Sequence, residues 1–201
     1  MKKLFLIVFS LFVAVALDAQ IKNLGAGGYY SFTSTISVNG TSETGMLYGN
    51  VYTPMYGGTV FYEAILSGVT HMWEASYLVG QLNSVQQGKY QLEDWNPSTF
   101  NSLKTASIYY YSGITFLSGR RLQIPVYLGV GANYNMADTI KGFTFNLAAK
   151  ARAKFYFTDR IGIYAGVGWK GGLGTQKYSS DMKLGIRQKM LYAEAGITFS
   201  L

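Results

Sequence analysis

Residues 143–157 read FTFNLAAKARAKFYF, from Phe143 to Phe157. The odd positions Phe143, Phe145, Leu147, Ala149, Ala151, Ala153, Phe155 and Phe157 carry no polar side-chain atom. The even positions Thr144, Asn146, Ala148, Lys150, Arg152, Lys154 and Tyr156 carry nearly all the polarity. A period of two puts the two sets on opposite faces of a β-strand. The apolar face has aromatic rings at both ends and small or aliphatic residues between them. Phe145 to Phe155 spans roughly 33 Å along a strand, or about 25 Å of height once tilted by ~40°. Those are the dimensions of the apolar band of a membrane-spanning barrel with aromatic girdles at its two edges.

The neighbouring segments repeat the pattern. Ile161–Gly171 turns Ile161, Ile163, Ala165, Val167 and Trp169 one way and Gly162, Tyr164, Gly166, Gly168 and Lys170 the other. Only Thr158, Asp159 and Arg160 separate it from the opening stretch, so the two form a tight hairpin. Lys189–Leu201 alternates to the last residue, with Leu191, Ala193, Ala195, Ile197, Phe199 and Leu201 on its apolar face. Leu122–Tyr134 and Ala106–Ser118 alternate likewise, and Pro125 sits near the start of its strand, where a missing N–H is tolerated. Leu24–Val38 and the weaker Met46–Met55 complete the N-terminal part, the latter ended by Pro54 and Gly57-Gly58.

Thr59–Gln81 changes phase. Its apolar positions are even at Val60, Ala64 and Leu66, then odd at Val69, Trp73, Ala75 and Val79. The switch at Ser67-Gly68 fits either a β-bulge or a turn between two strands. A barrel whose ends share one side needs an even strand number. A turn there would give nine strands, so the preferred reading is one bulged strand and an all-β, antiparallel transmembrane barrel of eight strands, with ten as the other even count. Short connections then fall around Pro54–Gly58, Gly119–Arg121 and Thr158–Arg160. Longer, more polar ones fall at Asn39–Gly45, Leu82–Lys104, Asn135–Gly142 and Gly172–Gln188. Alternation of short turns with long loops predicts that the long ones lie outside the cell.

The first residues look like a targeting signal. Lys2 and Lys3 precede the apolar run Leu4–Leu17, and cleavage is expected after Ala19 or, by the small-residue rule, after Ala16. The expected division is thus residues 1–19 as signal peptide and 20–201 as one barrel domain. Cleavage after Ala19 removes two lysines and one aspartate, taking the formal charge from +7 to +6. An exported chain with no cysteine has no disulfides to stabilise it. The cations form no run or stripe of the kind that nucleic acid binding uses, so no nucleic-acid partner is expected. A soluble periplasmic barrel would also alternate, with the Phe143–Phe157 apolar face turned inward; the girdle-like aromatics and the terminal strand weigh against it.

Catalytic, cofactor and metal signals are weak. Gly166-Val-Gly168-Trp-Lys-Gly171 matches a dinucleotide fingerprint, but Gly172-Leu-Gly174-Thr follows where a helix is required. Space on a crowded inner face explains those glycines better, and no cofactor is expected. One histidine and no cysteine leave only an all-carboxylate metal site open, so no metal is assigned. His71, Glu74 and Ser76 invite a hydrolytic reading, yet residues 71 and 74 have opposite parity; His71 reads as an interface residue beside Trp73. Tyr109 and Tyr111 are expected inside and Tyr110 in lipid. The segment Leu82–Lys104, with Trp95, Asn96, Pro97 and Phe100, is the expected place for a partner.

The segments Arg120–Tyr134, Ala153–Trp169 and Ala193–Leu201 resemble the small single-chain outer-membrane β-barrels of Gram-negative bacteria, of the OmpX/OmpW-like, porin-family type. The likeness spans the whole chain after the signal. It implies residence among outer-membrane lipid and recognition of the terminal strand by the barrel-assembly machinery. That strand ends in Leu201, with Phe199 two residues earlier, where such proteins usually end in phenylalanine. The family implies no catalytic residues.

With the apolar faces outward, Lys150, Arg152, Lys154 and Lys170 point into the lumen, opposite Glu194 and Glu63. Like charges in so narrow a space require carboxylate partners, so a salt-bridged plug is expected. The leading function is a non-enzymatic structural or surface-interaction barrel with an unknown extracellular or periplasmic partner. The alternatives are a narrow anion-preferring channel and, less favoured, a lipid-modifying enzyme.

Overall fold

The structure, a computed structural model, describes residues 21–42, 45–52, 54–66, 68–81, 84–87, 102–116, 121–136, 141–177 and 183–201. The expected signal peptide and most of the Leu82–Lys104 connection lie outside the described residues.

The described chain forms ten β-segments: β1 (Ile21–Ser42), β2 (Gly45–Tyr52), β3 (Met55–Leu66), β4 (Val69–Gln81), β5 (Ser84–Gln87), β6 (Ser102–Phe116), β7 (Leu122–Met136), β8 (Lys141–Tyr156), β9 (Ile161–Lys177) and β10 (Lys183–Ser200). Eight of them make a closed antiparallel wall in the order β1-β3-β4-β6-β7-β8-β9-β10, with β10 pairing back onto β1. The closing seam runs from Asn23 opposite Ser200 to Gly40 opposite Leu184. β2 prolongs β3 alongside β1, and β5 pairs with β2 beyond β4. Among the described residues no helix is long and apolar enough to cross a membrane; the crossing elements are strands.

The strand count matches the expectation, but its division does not. The chain turns at Gly68 and does not bulge there: Leu66 pairs with Val69, and Gly68 holds a φ of 83°, a left-handed conformation that suits glycine. Pro54 and Gly57-Gly58 do not end a wall strand either. β2 and β3 share one partner strand, with the break at Pro54, which has no N–H to give the ladder. The turn at Gly68 adds a strand and the continuity past Pro54 removes one, so the count is eight. The polar connections are also shorter than expected, since β1, β7 and β9 run on to Ser42, Met136 and Lys177. Backbone pairing needs no lipid, so the ladder outlasts the apolar band. The 22-residue β1 is about twice the ~9–11 residues that cross a bilayer.

The start of β1 and the end of β10 lie beside the short turns. Leu201 N donates to Lys22 O at 2.8 Å and Ser200 N to Arg160 O at 2.8 Å. Thr158 Oγ1 accepts from the amides of Arg160 and Ile161 in the turn before β9. This rim is the turn end, and the opposite one is the loop end.

Alternation decides the two faces. On β8 the burial pattern follows the sequence residue by residue, from exposed Phe143 to buried Tyr156. Phe145 and Leu128 are 75% and 71% exposed. An uninterrupted girth of such side chains has no place in water and suits hydrocarbon, which disposes of the inward-facing soluble alternative. A bulge between Ser31 and Thr33 resets the phase of β1, so that Ser31 and Ser34 are both buried.

Candidate functional site

Eight strands enclose a space that side chains fill. The structure places Lys150, Arg152 and Lys154 of β8, Lys170 of β9, Glu63 of β3 and Glu194 of β10 inside it, each at most 3% exposed. A seventh charged residue joins them. Glu74 of β4 is 2% exposed and touches three of the four cations.

The cations sit on neighbouring strands; Glu63 and Glu74 come from across the barrel, and Glu194 comes from β10 beside β9, in one cross-strand row with Gly166 and Arg152. Lys154 pairs with Glu63, which also accepts from Tyr127 Oη and, at 3.0 Å, from Asn23 Nδ2. Arg152 reaches Glu194 through Nε and Nη2, the latter at 2.9 Å, and Glu74 through Nη2 at 2.9 Å. Such forked pairing fixes both partners in one plane. Lys150 pairs with Glu74 and stands 3.5 Å from Glu194. Lys170 Nζ lies 3.3 Å from the other oxygen of Glu74. Glu74 is therefore the hub of the upper three cations, while Glu63 holds Lys154 near the turn end.

Four cations face three carboxylates, so one positive charge is in excess. Aromatic faces surround it. Lys170 Nζ is 4.1 Å from the Tyr109 ring centre, Lys150 Nζ 4.4 Å from that of Tyr111, and the Arg152 guanidinium 4.1 Å from Phe61 and 4.7 Å from Tyr164. Each contact returns part of the hydration energy lost on burial, at about 2 kcal/mol where water is excluded. Inner-face glycines make room for the rings. A Cβ on Gly168 would lie 2.4 Å from Tyr192 Oη, and one on Gly129 2.3 Å from the Tyr111 ring. Gly166 and Gly168 of the dinucleotide-like run are thus packing residues. Gly171 is on the outer face, where the Trp169 indole covers it.

Towards the loop end the charges give way to amides. Gln188 Oε1 accepts from Asn133 Nδ2 at 2.8 Å and from Thr144 Oγ1 at 3.2 Å, and Thr105 Oγ1 donates to Asn135 at 2.8 Å. The sequence reading missed this layer and missed Glu74. The signal for Glu74 was available: it shares parity with Met72, Ser76 and Leu78, opposite Trp73 and Ala75.

The hydrolytic grouping does not assemble. His71 faces outward and its Nδ1 is 2.6 Å from Tyr110 Oη, with the Trp73 ring tilted against that of Tyr110, whereas Glu74 and Ser76 are inside. Among the described residues no group of three or more histidine, cysteine, aspartate or glutamate side chains is arranged to hold a metal.

No protein-family profile and no curated protein matches the chain. Solved structures do. Neisserial surface protein A is 13% identical, with 87% of this chain and 98% of that one covered and a TM-score of 0.44. The attachment invasion locus protein of Yersinia pestis is 12% identical, covering 88% and 98%, with a TM-score of 0.39. The outer membrane protease OmpT from Escherichia coli is 8% identical, covering 91% and 97%, with a TM-score of 0.47. The closed eight-stranded wall, apolar outside and polar inside, makes this chain a small β-barrel of the outer-membrane type.

Proposed function

We propose that the protein is a non-enzymatic structural or surface-interaction barrel of a Gram-negative outer membrane, working through its rim and wall and not through its lumen. The observation that carries this reading is the interior plug, in which seven charged side chains pair with one another inside the barrel among tyrosines. A solute crossing would have to break charge pairs that have no water to replace them. Residues 1–19 serve as a cleaved export signal, and the Ala193–Leu201 strand is what the barrel-assembly machinery reads. The partner binds at the loop end, through the Leu82–Lys104 segment that lies between β4 and β6 in the chain. The split of His71 from Glu74 and Ser76 across the wall supports a non-enzymatic role.

The excess interior cation favours a second reading, a narrow anion-preferring channel. Conductance of the purified barrel in planar bilayers separates the two. The closed reading expects a flat baseline with rare, brief openings. A steady anion-selective open state would refute it.

A further inference from the structure

We propose that the outer wall holds one phosphate-bearing lipid of the outer leaflet, its phosphate on Arg187 and Lys189 and an acyl chain laid obliquely across the strands below them. The proposal rests on the outer-membrane reading above, with the loop end facing outward.

The first observation is the distribution of charge. The three carboxylates of the wall strands, Glu63, Glu74 and Glu194, all point inward. The charged side chains exposed outside at the loop end are all basic among the described residues: Lys104 on β6, Lys141 on β8, and Arg187 and Lys189 on β10. Lys104 and Lys141 flank Met136 in one cross-strand row. Arg187 and Lys189 lie two residues apart on one face, about 7 Å along the strand. They stand above Leu191, where the apolar wall begins. Cations at that height meet lipid headgroups, and two together suit a phosphate.

The second observation is a groove of about 1330 Å³ on the wall. It starts at Arg187 and Lys189 and passes Leu173, Phe145, Leu147 and Val130 to reach Trp73. It follows one line of the register: Lys189 opposite Gly171, then Leu147, Val130, Tyr110 and Trp73. Six adjacent strands give it a length of about 24 Å, on the scale of a long acyl chain. Because the strands tilt, the line descends from the loop end towards the turn end. Gly171 lets the Trp169 indole lie against the wall, since a Cβ there would come within 2.4 Å of the ring. The groove therefore has a cationic upper end and an apolar course, the polarity of an anionic lipid.

The test titrates the full chain, purified from membranes in a neutral detergent, with a diphosphorylated lipid A and with its dephosphorylated form, bound lipid being counted by native mass spectrometry. The phosphorylated lipid should bind one to one and the dephosphorylated form far more weakly. Each cation near a headgroup contributes about fivefold, so Arg187→Gln with Lys189→Gln should weaken binding about thirtyfold. Arg121→Gln with Arg160→Gln, at the turn end, should leave it unchanged. Equal binding of the two lipids by the wild type overturns the proposal without reference to any variant. So does equal loss in both variant pairs. A wild-type chain that runs identically on gels before and after boiling would instead refute the outer-membrane reading.

Discussion

Glu74 shows how much one side chain decides inside a narrow barrel. It pairs with Lys150, Arg152 and Lys170, and its loss would leave three cations to Glu194 alone. Breaking a buried pair by removing one partner costs about 3–5 kcal/mol, because the abandoned charge has no water. Glu74→Gln should therefore lower the temperature at which the barrel loses its compact gel mobility, well below the effect of Asp159→Asn in the exposed turn. Equal shifts in the two variants would mean that the lumen is wet. Parity alone makes Glu74 an inward residue. Its rank as hub depends on β4 lying across from β8 and β9, a relation that no local pattern encodes.

At the scale of elements, the turn at Gly68 and the break at Pro54 were the positions hardest to read. Both show a phase or composition change beside a glycine or proline, and a single strand seen alone does not say which one reverses the chain. Pairing does: Leu66 opposite Val69 closes a hairpin, whereas Tyr52 and Met55 both lie along β1. An epitope inserted after Gly68 should thus leave assembly intact, because it lengthens a turn, and longer loops cost little. The same insertion between Thr53 and Pro54 interrupts a wall strand and should reduce the yield of heat-modifiable barrel. Tolerance at Pro54 with failure at Gly68 would restore the bulged-strand reading.

For the whole molecule, the outer surface and the interior make opposite demands that only a membrane reconciles. Exposed Phe145, Leu128 and Leu147 need hydrocarbon outside, while the paired charges need enclosure inside. The protein should stay with membranes in alkaline carbonate. Protease added to intact cells should cut between residues 88 and 101 and spare Arg160, since the short turns share a rim with the start of β1 and the end of β10. Cleavage at Arg160 with the outer membrane sealed would invert the topology. The two rims also differ in build: strands run far beyond the apolar band only at the loop end, as β1 with β2 and β9 with β10 show.

The sequence by itself determined which face of each long strand meets lipid, because a period of two needs no knowledge of neighbours. Phe143–Phe157 and Lys189–Leu201 are legible for that reason, and so is the inward direction of Lys150, Arg152, Lys154 and Lys170. Strand partition around residues 46–81 was not, since a turn and a bulge leave the same mark on alternation. Only the closed tertiary structure decided which charges meet. Lys154 finds Glu63 and Arg152 finds Glu74 across a lumen whose registry is set by shear and closure, quantities that belong to the eight strands together and to none of them singly.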